Sequence, residues 1–332
     1  MIAAYIDRYG PGQKLTLGER PKPVPGAGDV LVRIHAASAN PVDFKVRDGK
    51  LRFVRPYSFP LILGHDGAGE VVATGASATK FKAGDRVFFR PRNGRIGTFA
   101  EFMAIDEKEV AAMPRNLTYA EAASLPLVGL TSWQALRDVA GIRSGQRVLI
   151  QAGAGGIGTF AIQLAKFAGA EVWTTTSGKN EELVRALGAD HIINYQKENF
   201  EEVVSGLDVV FDTLGGTALE KAFSVVKPGG WIVSIAGTPD YRTAQDMELV
   251  YWKSLVLGAL GWRVQRKAKR AGVNYRFIFM KSRGDELAQI AALVEQGAIR
   301  PVLDRVFPFA EVQAALEHSE TGRAKGKIVV SM

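Results

Sequence analysis

Between positions 147 and 168 the chain reads as a buried strand, Val148-Leu149-Ile150, a glycine-rich turn, Gly153-Ala154-Gly155-Gly156-Ile157-Gly158, and an amphipathic helix. GxGxxG spacing between a strand and a helix admits few folds, because each glycine removes a side chain that would block a particular approach. Gly153 permits the tight turn, Gly155 lets the backbone come close to a pyrophosphate, and Gly158 lets the helix pack on the strand. The helix start then offers unpaired N–H groups to negative charge. With Ala152, Gly156 and Ile157 these residues form a candidate dinucleotide cradle. A glycine-rich turn without a ligand is the competing reading, and the pattern that follows weighs against it.

Strands at 171–175, 191–194, 207–212 and 231–236 alternate with helices at 181–187 and 218–226, as in a doubly wound parallel sheet. The first third differs: short β-type runs at 30–35, 69–74, 85–89 and 98–105 are broken by Gly and Pro, which predicts a compact antiparallel barrel. After a basic stretch and a helix at 285–295, β texture returns at 327–331, and this tail is expected to rejoin the barrel. A chain of 332 residues exceeds what one core usually organises. The expected domains are 1–123 completed by 298–332, and 124–297. No apolar run approaches the roughly 20 residues that span a bilayer, and the start lacks the apolar stretch of a secretory signal. The expectation is a soluble, cytoplasmic protein with no membrane partner.

The chain has no cysteine, which removes disulfides, thiolate nucleophiles and sulfur-ligated zinc. Its net charge of +8 favours an anionic partner: nucleic acid, a membrane surface or a phosphorylated cofactor. The second strand of the alternating region bears on that choice. Where an Asp or Glu would bind the ribose hydroxyl of NAD, the chain reads Thr174-Thr175-Thr176-Ser177-Gly178-Lys179. Hydroxyls followed by a cation suit a 2′-phosphate, so Thr175, Ser177 and Lys179, with Tyr195 after the third strand, point to NADPH. Taken singly, Lys179 also reads as a solvated loop lysine and Tyr195 as a packing residue.

The segment 64–72, Gly-His-Asp-Gly-Ala-Gly-Glu-Val-Val, with Gly75 and Gly84-Asp85-Arg86-Val87, resembles the signature of the medium-chain dehydrogenase/reductase superfamily. Ser38-Ala39-Asn40-Pro41-Val42-Asp43-Phe44-Lys45 is similar to its quinone oxidoreductase and enone reductase branch. The resemblance continues through Leu125-Pro126-Leu127, Thr131-Ser132-Trp133, the glycine motif, Leu187-Gly188-Ala189-Asp190 and Lys227-Pro228-Gly229-Gly230, nearly the whole chain. It implies an α/β protein with a GroES-like β-barrel catalytic domain, a Rossmann NADPH domain and an active site in the cleft between them. It implies hydride transfer to a quinone or to the C=C bond of an α,β-unsaturated carbonyl compound, and a homodimer.

In zinc-dependent members a Cys stands where Asn40 stands here, and the histidine corresponding to His65 is a second ligand. A catalytic zinc needs three protein ligands, so no metal is expected, and His65 with Asp66 reads as a structural pair. Charge developing on an enolate oxygen must then be met by hydrogen-bond donors. The resemblance assigns Lys45, in an active-site loop, to the cofactor or the substrate oxygen, and Asn40 to the nicotinamide side; a surface Lys45 pairing with Asp43 or Asp48 competes with this. Tyr57 is a candidate proton donor, with solvent as the alternative. The cofactor set extends to Thr131 at the nicotinamide ribose, Leu214, Gly237 and the backbone of Leu260-Gly261 beside the carboxamide, and Arg323 and Lys325 closing over it. Arg52, Phe53, Trp262 and Tyr275 are placed in the substrate pocket, although these aromatics equally suit the core. The basic cluster from Arg263 to Arg276 keeps a second reading open, a non-catalytic NADPH-binding protein that binds RNA, against a solvated helix face.

Overall fold

The computed structural model describes residues 1–332. They divide into two units, Met1–Leu130 with Lys281–Met332, and Thr131–Met280. The first unit begins with β1 (Ile2–Ile6), β2 (Thr16–Glu19), β3 (Asp29–Ala39), α1 (Pro41–Arg47), β4 (Leu61–Ile62), β5 (Asp66–Thr74), β6 (Arg86–Phe89), β7 (Phe102–Asp106), β8 (Val110–Ala112) and α2 (Tyr119–Ala123). Helix α3 (Pro126–Trp133) leads into the second unit: β9 (Arg147–Ile150), α4 (Gly156–Phe167), β10 (Glu171–Thr176), α5 (Glu181–Ala186), β11 (His191–Asn194), α6 (Phe200–Val203), β12 (Leu207–Asp212), α7 (Gly216–Val225), β13 (Val226–Ser234), α8 (Tyr241–Asp246), α9 (Tyr251–Ala271) and β14 (Asn274–Phe277). The chain then returns to the first unit with α10 (Gly284–Glu295), β15 (Leu303–Pro308), α11 (Val312–Glu320) and β16 (Lys327–Ser331).

The first unit is built around β3, eleven residues long and buried at nearly every position. It pairs antiparallel with β5, β7 and β16, in a sheet ordered β15-β16-β3-β5-β6-β8; a second sheet runs β2-β1-β4. Val30, Val32 and Ile34 face one core with Val71, Phe89 and Ile105. Ala37 and Ala39 face another with Leu63, Phe99 and Val330. Each buried aliphatic side chain of valine size or larger contributes about 1.5–3 kcal/mol.

The second unit is a six-stranded parallel sheet in the order β11-β10-β9-β12-β13-β14. That is the doubly wound arrangement, in which the strand order reverses beside the first strand, here β9. Leu149, Val210, Ile232, Phe223 and Phe277 form its core. No helix of the chain is long and apolar enough to cross a membrane.

Two expectations need adjustment. The segment carrying Lys45 is helix α1, not a loop; Asn40 occupies the N-cap, Pro41 the first turn, and the Asp43 carboxylate accepts the Asn40 N–H at 2.8 Å. The units also part at 130/131 and 280/281, rather than 123/124 and 297/298, because α10 packs on the first unit. A Cβ on Gly284 would lie 2.4 Å from the Val110 carbonyl oxygen and 2.7 Å from that of Lys108, so the helix start rests directly on backbone. Gly284→Ala is therefore expected to destabilise the protein by about 1–3 kcal/mol. Urea unfolding checks this, and a wild-type midpoint would show that the contact is loose.

Candidate active site

In the second unit the predicted cofactor residues gather at one edge of the sheet. Ala152 to Gly155 follow β9, Ser177 follows β10, Tyr195 follows β11, Leu214 follows β12 and Gly237 follows β13. All five strands are parallel, so these positions share the carboxyl ends of the strands, where open α/β sheets bind ligands.

The glycine turn is fixed from below. Ala152 has a positive φ of 52°, and its N–H donates to Thr175 Oγ1 at 3.0 Å. A Cβ on Gly158 would stand 2.3 Å from the Ala152 carbonyl oxygen, and one on Gly153 would stand 2.1 Å from Thr174 Oγ1. Those two glycines are required by the protein itself. Gly155 differs: a Cβ there would meet only the Ala152 oxygen, at 3.3 Å, so the space above it is open to a ligand. Gly155 is also the N-cap of α4, which has no side-chain cap bond and no acidic residue in its first turn. The turn and helix start thus fit a pyrophosphate.

At the next strand end β10 closes on Thr176 rather than on an Asp or Glu, and the Glu181 carboxylate that follows accepts from Asn194 Nδ2 at 3.1 Å. Ser177 is buried and accepts from Asn180 Nδ2 at 3.2 Å, while Lys179 is exposed without a partner. Thr176 and Asn194 are paired across β10 and β11, so Tyr195, 63% exposed, stands beside Ser177. Thr175 serves a second purpose, as the acceptor that holds Ala152.

Other predicted positions fall elsewhere. Leu260 and Gly261 lie inside the 21-residue helix α9, where backbone groups are engaged in the helix; they do not form a free backbone edge. Gly261 instead allows α9 to pack on the 239–240 turn, since a Cβ would lie 2.7 Å from Asp240 Cβ. Tyr275 is buried in the core and donates its hydroxyl to the Thr238 carbonyl oxygen, and burial raises its pKa. It is a core residue rather than a pocket residue. Trp262 is exposed on α9 beneath the Arg266 guanidinium. Within the basic cluster Lys267 pairs with Glu220 and Arg276 with Asp246, which leaves a mixed helix face. Thr131 is buried at the start of the second unit.

In the first unit, β3, α1 and β5 assemble a buried polar network. Asp66, fully buried, accepts from Ser38 Oγ at 2.7 Å, Asn40 Nδ2 at 2.9 Å, Lys327 Nζ at 3.2 Å and the Leu127 N–H at 2.7 Å. Asn40 Nδ2 also donates to the Ser38 carbonyl oxygen, and Asn40 Oδ1 accepts from Lys327. Both ends of the Asn40 amide are thus engaged inside the protein, so Asn40 is not a ready donor to a substrate oxygen. His65 does not pair with Asp66: Nδ1 meets Asp43 Oδ1 at 2.6 Å, because neighbouring side chains of an extended chain point to opposite sides. His65 Nε2 is buried without a partner.

Lys45 behaves differently from these. Asp43 is engaged by His65 and the Asn40 N–H, and Asp48 by Arg47 and Lys50, so neither carboxylate expected to neutralise Lys45 does so. Lys45 is an exposed residue, and its ammonium has no hydrogen-bond or ion-pair partner. Partial desolvation, reinforced by the like charge of Lys50, lowers its pKa from the usual lysine value. Tyr57 donates to the Asn93 carbonyl oxygen, and burial pushes its phenol up to about 12. It holds its proton firmly, which makes it a weak acid. Arg52 and Phe53 are exposed in the turn after α1. Arg323 and Lys325 are exposed in the turn between α11 and β16 of this unit. Lys327, at the centre of the polar network, was not legible as a site residue; it reads locally as the first residue of a strand.

Comparison with known proteins agrees with this geometry. Residues 26–115 match the alcohol dehydrogenase GroES-like domain family and residues 187–330 the zinc-binding dehydrogenase family. The NAD(P)H oxidoreductase RTN4IP1, mitochondrial, of Danio rerio is 35% identical over all of this chain and 91% of its own length. The chain is a medium-chain dehydrogenase/reductase. The 2-methylene-furan-3-one reductase of Solanum lycopersicum is 38% identical over 91% of the chain and 71% of its own length. The solved quinone oxidoreductase of Coxiella burnetii superposes with a TM-score of 0.86 at 32% identity, covering 100% of this chain and 99% of that one. The first unit is thus the GroES-like domain and the second the Rossmann domain, which binds NADPH. In this medium-chain dehydrogenase/reductase no group of three His, Cys, Asp or Glu residues is placed to hold a metal ion.

The two kinds of glycine in the cradle separate folding from binding. Gly155→Ala is expected to melt near the wild-type temperature while raising the NADPH Kd about tenfold or more, the loss of one or two charge-assisted backbone contacts. Gly158→Ala is expected to lower the melting temperature itself. Equal melting and equal NADPH affinity in both variants would remove the pyrophosphate assignment.

Proposed function

We propose that the protein reduces the C=C bond of α,β-unsaturated carbonyl compounds, and quinones, with NADPH and without a metal. The observation that carries this reading is the unpaired ammonium of Lys45, held on a short helix whose carboxylates are all engaged elsewhere. The names of similar proteins support the substrate class: besides the furanone reductase, an NADPH-dependent alkenal/one oxidoreductase and a chloroplast envelope quinone oxidoreductase homolog, both of Arabidopsis thaliana, are 35% and 32% identical.

NADPH, when bound, supplies the hydride. Ser177, Lys179 and Tyr195 bind its 2′-phosphate, and the start of α4 binds its pyrophosphate. Lys45 meets the negative charge that grows on the carbonyl oxygen as the β-carbon accepts hydride. That contact is strongest in the transition state, the condition for raising kcat rather than lowering KM alone. Asn40 orders the polar network, and Arg52 and Phe53 line the substrate side. With Tyr57 engaged by Asn93 and its phenol at about 12, solvent delivers the proton to the α-carbon. We further assign a cytoplasmic homodimer. The exposed residues Tyr251, Leu255 and Trp262, which share one side of α9, offer a face that a second copy would cover.

Lys45→Met is expected to lower kcat with an enone by about 10- to 1000-fold, the range for one lost oxyanion donor. Because desolvation disfavours the charged form, the folded chain binds this proton more weakly than the unfolded chain. Charged Lys45 therefore works against stability at neutral pH, and the variant should melt no lower than wild type. In the wild type kcat/KM should fall as pH rises through a value below the usual lysine pKa of about 10.4, and this limb should vanish in Lys45→Met. Wild-type turnover by the variant would reduce Lys45 to a surface lysine.

A further inference from the structure

Lys327 opens β16 and is buried, although nothing in the pairing of the strand calls for a cation at this position. Its ammonium donates to Asn40 Oδ1 and, at 3.2 Å, to Asp66 Oδ2. The register of β16 on β3, with Ile328 opposite Ala39, brings it there. Asn40 is the N-cap of α1, where the Asp43 carboxylate accepts its N–H at 2.8 Å in a capping box. The amide of this N-cap residue is also tied on both sides, its oxygen to Lys327 and its nitrogen to Asp66.

A seven-residue helix has no stability of its own, so anchors set its position. At its start the anchors are Asn40, through Lys327, and Asp43, through His65. At its end Arg47 pairs with Asp48 and Glu320. Lys45 lies between them. A buried ion pair is weak ground for stability, since apolar replacement of both partners is often neutral. An ammonium can, however, fix the direction of an amide that would otherwise turn over.

We propose that Lys327 is a positioning residue for turnover: by holding the Asn40 amide against Asp66 it fixes the first turn of α1, the helix that carries Lys45. The proposal rests on the role given to Lys45 above. Removing Lys327 alone would leave Asp66 as a buried unpaired charge and endanger the fold, so the informative variant is Lys327→Met with Asp66→Asn, compared with Asp66→Asn alone. Both should bind NADPH equally in fluorescence titrations. The double variant should show kcat about 10- to 100-fold below Asp66→Asn, the cost of a misplacement on the order of 1 Å, at unchanged KM for NADPH. Its α1 amides should exchange with deuterium faster than in Asp66→Asn, while β3 and β9 exchange alike in both.

Turnover equal to that of Asp66→Asn overturns the proposal, as does equal exchange in α1; in either case Lys327 only neutralises Asp66. Loss of NADPH binding in step with kcat overturns it too, because the defect is then general. The exchange measurement needs no turnover. A fully active Lys45→Met would therefore refute the assignment of Lys45 separately from the question of whether Lys327 orders α1.

Discussion

The last strand, β16, lies antiparallel on β3, with Ile328 opposite Ala39 and Val330 opposite Ala37. Closing the chain over so many residues costs conformational entropy, but that cost grows only slowly with loop length. Buried aliphatic side chains on both strands offset it. Much of the first unit follows from this pairing. It brings α10 and α11 back to the barrel, gives β3 partners on both edges, and sets Lys327 within reach of Asn40 and Asp66. The polar network is the chemical consequence of a strand register. A slip of one residue would turn Lys327 to the other face of the sheet and leave Asp66 without its cation.

The second unit depends on strand polarity. Because its strands are parallel, their carboxyl ends share one edge, and the start of α4 points its N–H groups toward that edge. The division of labour between glycines follows. Gly153 and Gly158 are fixed by packing within the protein, whereas a Cβ on Gly155 would meet only the Ala152 carbonyl oxygen. At the end of β10 the exposed Lys179 has no partner, while the Glu181 carboxylate is engaged by Asn194.

What the sequence revealed and what it hid have physical reasons. Strands such as Leu207–Asp212 and Lys327–Ser331 were legible to the residue, because burial on both faces yields short apolar runs. Helix α1 carries its own N-terminal signal in Asn40, Pro41 and Asp43, but at seven residues it is too short for a helical period to show. Helix α9 was obscured by its exposed apolar residues, Leu255, Leu260 and Trp262, which blur the periodicity of a helix with one buried face. Its extent in turn decided the fate of Leu260 and Gly261. The partners of His65 and Lys327 were beyond local reading, since each comes from a distant part of the chain and no spacing encodes it. Tyr275 shows the limit for aromatics: pocket and core ask for the same side chain, and only its burial and its bond to Thr238 distinguish them.

The central claim is that the protein moves a hydride to carbon in a site where side chains, not a metal, meet the developing charge. It is tested by turnover of an α,β-unsaturated ketone with NADPH deuterated at C4, after exhaustive chelation of the enzyme, with the label located by NMR. The account predicts a saturated ketone carrying deuterium at the former β-carbon. Deuterium on the carbonyl carbon, in an allylic alcohol, would instead show alcohol dehydrogenase chemistry, and loss of all turnover on chelation would show that a metal meets the charge; either result contradicts it.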